Sequence, residues 1–380
     1  MRHMRINLLA LALLAVASVP GCGPAEEVAA GVHEACAPGT PAEPAELMVQ
    51  ASVPTYEIAS AQESLDKLNK DPWSDKYRDA SVTIGGKTYV DAQVRFRGYS
   101  ARNFQKKSWK VKFAKDNQYD DPDWGYTRKA LNLNAEYTDP TLMREKLSYD
   151  LMAEMGMMAP RARFVRLVVN DEYLGVFVDV ENPRSDFFEF HGLNDKGGLY
   201  QAYDSQLKPL PSLAEYDAAF EKKLQEDEPW DDLDKLANDL SSLSDTEVYG
   251  ALGAFVDAEA LSRFMVANVL INQTDHLHKN YLLYHDGKGT GKWYVVPWDH
   301  DLTWGRVYDR NVGGMDGFFV LNLITDTGID FGSYSGSEGS PTWGNVLYDR
   351  YLNSPEYFAD FRARICQALD QQFTAARVIA

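Results

Sequence analysis

Between Ser81 and Glu181 the chain passes through one short run of alternating apolar and polar residues after another. This confines the region to folds built on an antiparallel sheet. Ser81-Val82-Thr83-Ile84, a Gly85-Gly86 turn and Thr88 to Phe96 predict a hairpin. Lys107 to Phe113 alternates charged and apolar residues, as a half-exposed strand does, and Lys129 to Asn134 predicts a short strand. Phe164 to Asn170 and Tyr173 to Glu181 predict a second hairpin, turning at Asn170-Asp171-Glu172. One amphipathic helix interrupts the series, over Thr141 to Met155, with Asp139-Pro140 at its start and Gly156 past its end. A strand and a short helix over Tyr56 to Lys70 precede the set, and a short helix over Asn182 to Glu189 follows it.

Beyond this point the pattern turns helical. Residues 205–246 are strongly acidic and read as a helical insertion. Asp257 to Ile271 is apolar at helical spacing, and Tyr281 to Tyr284 with Trp293 to Val296 predicts a last hairpin. Gly313 to Gly339, rich in glycine, serine and aspartate, predicts a long surface loop, and Pro341 to Leu369 returns to a helical pattern. The expected fold class is therefore α+β. With 45% hydrophobic and 12% aromatic residues in 380, the chain has material for a sizeable core.

The first residues read as an address. Arg2 and Arg5 form a basic start, and Ile6 to Val19 is an apolar run too short to span a bilayer comfortably. The run ends in Val19-Pro20-Gly21-Cys22, which resembles a bacterial lipobox in which Cys22 becomes the lipidated first residue; Pro20 departs from that pattern. An ordinary cleaved signal peptide is the alternative. The expected organisation is a lipoprotein signal peptide over 1–22, a disordered tether rich in Ala, Pro, Glu and Gly over 23–54, and one domain over 55–380. The expected location is exported, periplasmic or at the cell surface, with the lipid as the only membrane attachment. Such a location permits Cys36 and Cys366 to pair. A formal net charge of −18 argues against nucleic acid as a partner.

The chemistry concentrates in Asn272-Gln273-Thr274-Asp275-His276-Leu277-His278-Lys279-Asn280 and in Pro297-Trp298-Asp299-His300-Asp301. Asp275 is followed five positions later by Asn280, and a predicted hairpin then delivers Asp299 and Asp301. Phosphoryl-transfer enzymes of the kinase type order their groups this way. An Asp orients the substrate hydroxyl, an Asn holds metal, and a later Asp binds magnesium on the nucleotide phosphates. These are the hard oxygen donors that magnesium or manganese selects. In the first half, Arg95-Phe96-Arg97-Gly98-Tyr99-Ser100 leads to Lys106-Lys107-Ser108-Trp109-Lys110-Val111-Lys112-Phe113. Lys110 and Lys112 share one strand face, with Lys106 and Lys107 at its mouth, and all are candidates for clamping phosphates. The helix that follows carries Arg144, Glu145, Asp150 and Glu154; the residues do not single out which acid would pair with a strand lysine, and Glu145 is the choice made. A zinc hydrolase using His276, His278, His300, Asp299 and Asp301 is the competing enzymatic reading.

Five blocks resemble the CotH family, that of spore coat protein H-like atypical protein kinases. They are R-F-R-G-Y-S with K-K-S-W-K-V-K-F, L-N-L-N followed by M-R-E-K-L, V-V-N-D-E-Y-L-G-V-F-V-D-V-E, N-Q-T-D-H-L-H-K-N-Y, and W-Y-V-V-P-W-D-H-D-L-T-W-G. They run in the family's order from about Thr83 to Leu369. The resemblance implies a divergent two-lobed kinase-like fold. Its N-lobe, about 80–181, would be an antiparallel sheet with one helix, and its C-lobe, about 182–380, mostly helical. The resemblance also implies transfer of the ATP γ-phosphate to Ser or Thr of a protein substrate, with Asp275 as catalytic acid/base and Asn280, Asp299 and Asp301 as metal ligands. Lys110 is the second catalytic candidate and also serves ATP, with Arg97, Ser100, Lys107, Lys112 and Glu145 as further nucleotide-site candidates. Arg97-Gly98-Tyr99-Ser100 would replace the absent glycine-rich loop. Backbone near Val180 would meet adenine, and Glu181 would contact the ribose or cap the next helix. A non-catalytic surface or binding protein with the same fold is the other reading to be weighed.

Overall fold

The structure is a computed structural model that describes residues 50–203, 205–273, 279–309, 314–318 and 345–372, with side chains placed throughout except over 306–309 and 314–318. Cys22, Cys36, Asp275, His276 and His278 lie outside the described residues. The architecture mixes helices with several sheets. The described residues form two compact units, one of 50–150 and 160–195, the other of 151–159 and 196–372.

The first unit is a closed barrel. Its elements are β1 (Thr55–Ala59), α1 (Gln62–Lys70), β2 (Arg78–Ile84), β3 (Lys87–Phe96), β4 (Trp109–Lys112), β5 (Tyr119–Asp121), β6 (Tyr126–Arg128), β7 (Ala130–Asn134), the start of α2 (Arg144–Glu154), β8 (Ala162–Val169), β9 (Glu172–Val180) and α3 (Ser185–Phe190). The barrel order is β1-β2-β3-β4-β7-β9-β8. All neighbours are antiparallel except at the closing seam, where β1 runs parallel to β8 with Tyr56 opposite Leu167. Both expected hairpins are present, with turns through Gly85-Gly86 and through Asn170 and Asp171 in left-handed backbone. The parallel seam lies outside what periodicity can show, because it joins strands roughly 110 residues apart without a local turn. Alternate residues fill the interior: Val94 and Phe96, Trp109 and Val111, Leu131 and Leu133 are all buried. Strand geometry then sends Lys110, Lys112, Asn132 and Asn134 to the outer face.

Helix α2 begins at Arg144, later than the expected Thr141. The Asp139 carboxylate accepts from the backbone N–H groups of Thr141, Met143 and Arg144. Leu142 sits at a φ of 60°, which keeps this first turn out of the helix. The helix ends at Glu154, one residue before the expected Met155, and Gly156 lies past its end as expected, at a φ of 73° that suits a residue without a Cβ.

A small hairpin, β5–β6, stands apart from the barrel sheet and was not expected. Buried charge holds it. Arg128 grips Asp179 of β9 with two bonds of 2.7 and 2.8 Å and reaches Asp121 at 3.1 Å. Arg163 of β8 donates to Asp121 at 2.5 Å and to Asp179 at 3.2 Å. The Trp124 ring lies 3.7 Å from the Arg128 guanidinium carbon and 4.8 Å from that of Arg163.

The second unit carries a four-stranded antiparallel sheet ordered β11-β10-β12-β13. Its elements are the end of α2, β10 (Gly198–Ala202), α4 (Leu213–Ala219), β11 (Phe220–Leu224), α5 (Asp231–Ser242), α6 (Val248–Ala251), α7 (Ala258–Leu270), β12 (Tyr281–His285), β13 (Trp293–Pro297), β14 (Arg306–Asp309), β15 (Gly314–Phe318), α8 (Val346–Asn353) and α9 (Pro355–Gln371). The acidic stretch is only partly helical, since β11 lies within it and forms one edge of the sheet. Buried Phe220 and Lys222 alternate with more open neighbours, and the Lys222 ammonium donates to the carbonyls of Glu228 and Pro229. Part of the expected 313–339 loop is strand β15, paired with β14. Helix α7 is buried on most sides, capped by Asp257 on Ala260, and packs on β13 and α9. Ser354 and Pro355 start α9, where Cys366 is disulfide-bonded.

Candidate functional site

The outer face of β4 and β7 in the barrel unit carries the first group of candidate residues. Lys110 and Asn132 are direct cross-strand partners, and Lys110 donates to the Asn132 carboxamide oxygen at 2.7 Å. The Asn132 amide nitrogen donates to Asn182, just past β9, at 3.2 Å. Two residues along the same strand, Asn134 accepts from the Arg97 guanidinium and donates to Glu145 of α2 at 2.7 Å. Glu145 of α2 is bonded to this sheet through Asn134, and it is buried. Asp150 pairs with Lys146 instead, at 2.6 Å. The structure thus gathers Arg97, Lys110 and Glu145 around two asparagines. Neither asparagine was singled out as a site residue, although the L-N-L-N block that contains them was. Polar residues at two successive outward positions of a short strand are the signal that would have found them.

The turn from Arg97 to Lys107 uses its other cations on itself. Lys106 donates to the carbonyl of Ala135 at 2.8 Å and to that of Val176, and lies 4.2 Å from the Phe177 ring centre. Burial pulls its pKa below the usual lysine range, and nearby Glu136 offsets part of the shift. Lys107 donates to the carbonyls of Arg102 and Phe104, at 3.1 and 2.7 Å. Both ammonium groups, expected at the phosphates, here donate to carbonyls of the turn, of Ala135 just past β7 and of Val176 in β9. Ser100 opens a single 3₁₀ turn over Ser100–Asn103 and is exposed. Gly98 lies at a φ of 91°, where a Cβ would sit 2.9 Å from that of Ala101. Lys112 is exposed, 5.9 Å from the Tyr77 ring centre.

Glu181 has no solvent exposure. One carboxylate oxygen accepts from Tyr126 and from Arg161 at 2.7 Å; the other accepts from the Arg161 backbone at 2.9 Å and its side chain at 3.1 Å. The carboxylate is thus bonded through both oxygens to residues of the barrel unit. Its role is to brace the end of β9 against the start of β8 and the β5–β6 hairpin.

In the second unit, β12 and β13 pair Tyr281 with Pro297. Asn280, immediately before β12, and Asp299, two residues past Pro297, therefore lie at the same end of one hairpin. Both adopt left-handed backbone, at φ 60° each, as do nearby Asn272 and Trp304 at 51° and 56°. Asn and Asp tolerate this region better than other side chains, and its cost is retained where the surroundings over-determine the geometry. Asn280 is buried, Asp299 exposed and Asp301 half-buried. Gln273 reaches the Asp299 carbonyl at 3.4 Å, and the Trp304 N–H donates to Ile271 at 2.5 Å, which ties this end to the close of α7. His300 turns inward, 3.3 Å from Asn268 of α7. Asp275, assigned the catalytic role from its position before Asn280, lies outside the described residues, as do His276 and His278 of the zinc reading.

Among the described residues no group of three or more His, Cys, Asp or Glu is arranged to hold a metal. A nucleotide-borne magnesium ion does not require such a cage, because it takes one or two carboxylates with phosphate and water oxygens. Asn280, Asp299 and Asp301 fit that donor set.

Residues 94–380 match the family described as CotH kinase protein. The chain is 29% identical to inner spore coat protein H of Bacillus subtilis strain 168 over 263 residues, which cover 68% of this chain and 70% of that one. It is 27% identical to invasin CotH2 of Rhizopus delemar over 285 residues, covering 69% of this chain and 46% of the relative. It is 28% identical to spore coat protein homolog 1 of the same fungus over 181 residues, covering 44% and 29%. The chain thus spans less than half the length of these fungal relatives.

Proposed function

The chain belongs to the CotH kinase protein family, and from that premise we propose that it is an atypical kinase that transfers the ATP γ-phosphate to Ser or Thr of a protein substrate. The observation that carries this reading is the placing of Asn280 and Asp299 together at one end of the β12–β13 hairpin. The barrel unit is read as the N-lobe and the helical unit as the C-lobe of a two-lobed kinase-like domain within 55–380. Lys110 and Arg97 meet the phosphates, and Glu145 orders their surroundings. Asn280, Asp299 and Asp301 would hold magnesium or manganese, which when bound neutralises phosphate charge. Asp275 orients the substrate hydroxyl and takes its proton as that oxygen bonds to the γ-phosphorus and the bond to ADP breaks. An exported, Cys22-lipidated form is part of the proposal, supported by the leader sequence and by a disulfide at Cys366, a bond suited to oxidising compartments.

A second reading, a surface-binding protein that keeps the fold without the chemistry, is favoured by one observation: relatives carry the names coat protein and invasin. A paired measurement separates the two. The purified protein is incubated with γ-labelled ATP, magnesium or manganese and candidate proteins, and ATP binding is followed by calorimetry. For a kinase, label enters protein, and Asp275→Asn lowers turnover by about 10²–10⁴-fold with ATP affinity retained. ATP binding without transfer to any protein tested supports the binding-protein reading. Wild-type transfer matched by Asp275→Asn removes Asp275 from its role.

A further inference from the structure

The lysine and the arginine assigned to the phosphates share a mode of support that kinase logic does not supply. Each is held by a neutral amide from the same face of β7. Asn132 accepts from Lys110 at 2.7 Å and Asn134 accepts from Arg97. A cation only donates, so the oxygen end of each amide faces it and the nitrogen end must face away. Both nitrogen ends find acceptors, Asn182 at 3.2 Å and Glu145 at 2.7 Å. The two amides therefore run in the same sense, from the cation to an anchor. Those anchors lie on different elements, one just past β9 and the other on α2.

We propose that Asn132 and Asn134 are positioning residues that present Lys110 and Arg97 to the nucleotide phosphates; this rests on the kinase reading above. Strand parity sets them side by side, since Leu131 and Leu133 fill the barrel and the two positions between and beyond them share the outer face. Asn132 is only 1% exposed, so its amide is covered, and a polar group so placed is retained only where its bonds are made. The amide also carries no charge. It fixes the direction of the ammonium without adding a negative charge beside the phosphate subsite. In a protein of net charge −18 that restraint matters, because every further carboxylate near the subsite repels an incoming nucleotide.

The discriminating variant is Asn132→Asp. It is close to isosteric, keeps an oxygen against Lys110, and leaves Asn182 free to turn its own amide and donate. Dissociation constants for magnesium-ATP are measured by calorimetry for wild type, Asn132→Asp, Asn132→Ala and Lys110→Ala, at low and high NaCl, with thermal midpoints in parallel. We expect Asn132→Asp to weaken ATP binding by about tenfold, equivalent to about 1.4 kcal/mol, at low salt. The loss should shrink as salt screens the new charge. Asn132→Ala, which removes the holder without adding charge, should weaken binding with little salt dependence, and it decides the matter if Asn132→Asp does not fold. Wild-type affinity in both Asn132 variants, with Lys110→Ala weakened, overturns the positioning role and leaves the kinase reading standing. Failure of wild type to bind magnesium-ATP at all overturns the kinase reading first, and this inference with it.

Discussion

Asp179 has no exposure, and two guanidiniums face it. Burial alone would raise its pKa, but Arg128 and Arg163 outweigh burial and hold the carboxyl below its ordinary value. A depressed carboxylate pKa stabilises the fold above the unfolded value of about 3.9, and that stability is lost as pH falls through the folded value. The wild type should therefore lose thermal stability below about pH 4. Asp179→Asn should show a shallower acid limb and, because it leaves two buried guanidiniums short of charge, a loss of about 3–5 kcal/mol at neutral pH. An acid limb as steep as wild type would remove Asp179 from this role. Asp299 is the opposite case, exposed and in left-handed backbone. Asp299→Gly tolerates that twist and should fold with an unchanged midpoint while losing cation-dependent ATP binding; retained affinity would rule out its metal role. At this scale residue type was legible and direction was not. The K-K-S-W-K run marked a basic strand, yet nothing in its spacing could show that Lys106 and Lys107 turn to carbonyls while Lys110 turns to Asn132. Such choices depend on where Ala135 and Val176 arrive in space.

Among the elements, those with strong local signals were read closely: both barrel hairpins, α7, and the β12–β13 hairpin that brings Asn280 and Asp299 to one end. Elements held by distant partners escaped. The β5–β6 strands are three residues each and depend on Arg163 from β8, and β11 sits inside an acidic run because the β10 edge accepts it. Two element-scale outcomes follow from local geometry. Asp139 receives three backbone N–H groups before α2, so Asp139→Ala should cost about 1–2 kcal/mol by chemical denaturation, as loss of a strong cap does. No measurable loss would show that Thr141 alone closes the turn. Gly98→Ala places a Cβ against Ala101 at a φ of 91°, a strain of order 1–3 kcal/mol. If the 97–100 turn meets phosphates, the same variant should weaken ATP binding; unchanged affinity would move the phosphate subsite elsewhere.

For the molecule as a whole, the order of strands before helices was enough for an α+β assignment, while ring closure was beyond any local pattern. The net charge of −18 predicts a global response as well. Self-repulsion in a strongly acidic chain is screened by salt, so the thermal midpoint should rise between low and physiological ionic strength; a midpoint that falls would mean surface ion pairs outweigh the repulsion. The parallel seam of the barrel has a consequence in time. Strand β1 is synthesised before its partner β8, which follows roughly 110 residues later, a delay of about 5–20 s at ordinary rates of translation. Until Arg166 arrives opposite Thr55, one side of β1 has no strand to join and the ring stays open. Whatever meets the growing chain in that interval encounters an unclosed sheet, so a factor that shields nascent strands would act on this protein before residue 169 is made and have little to hold afterwards.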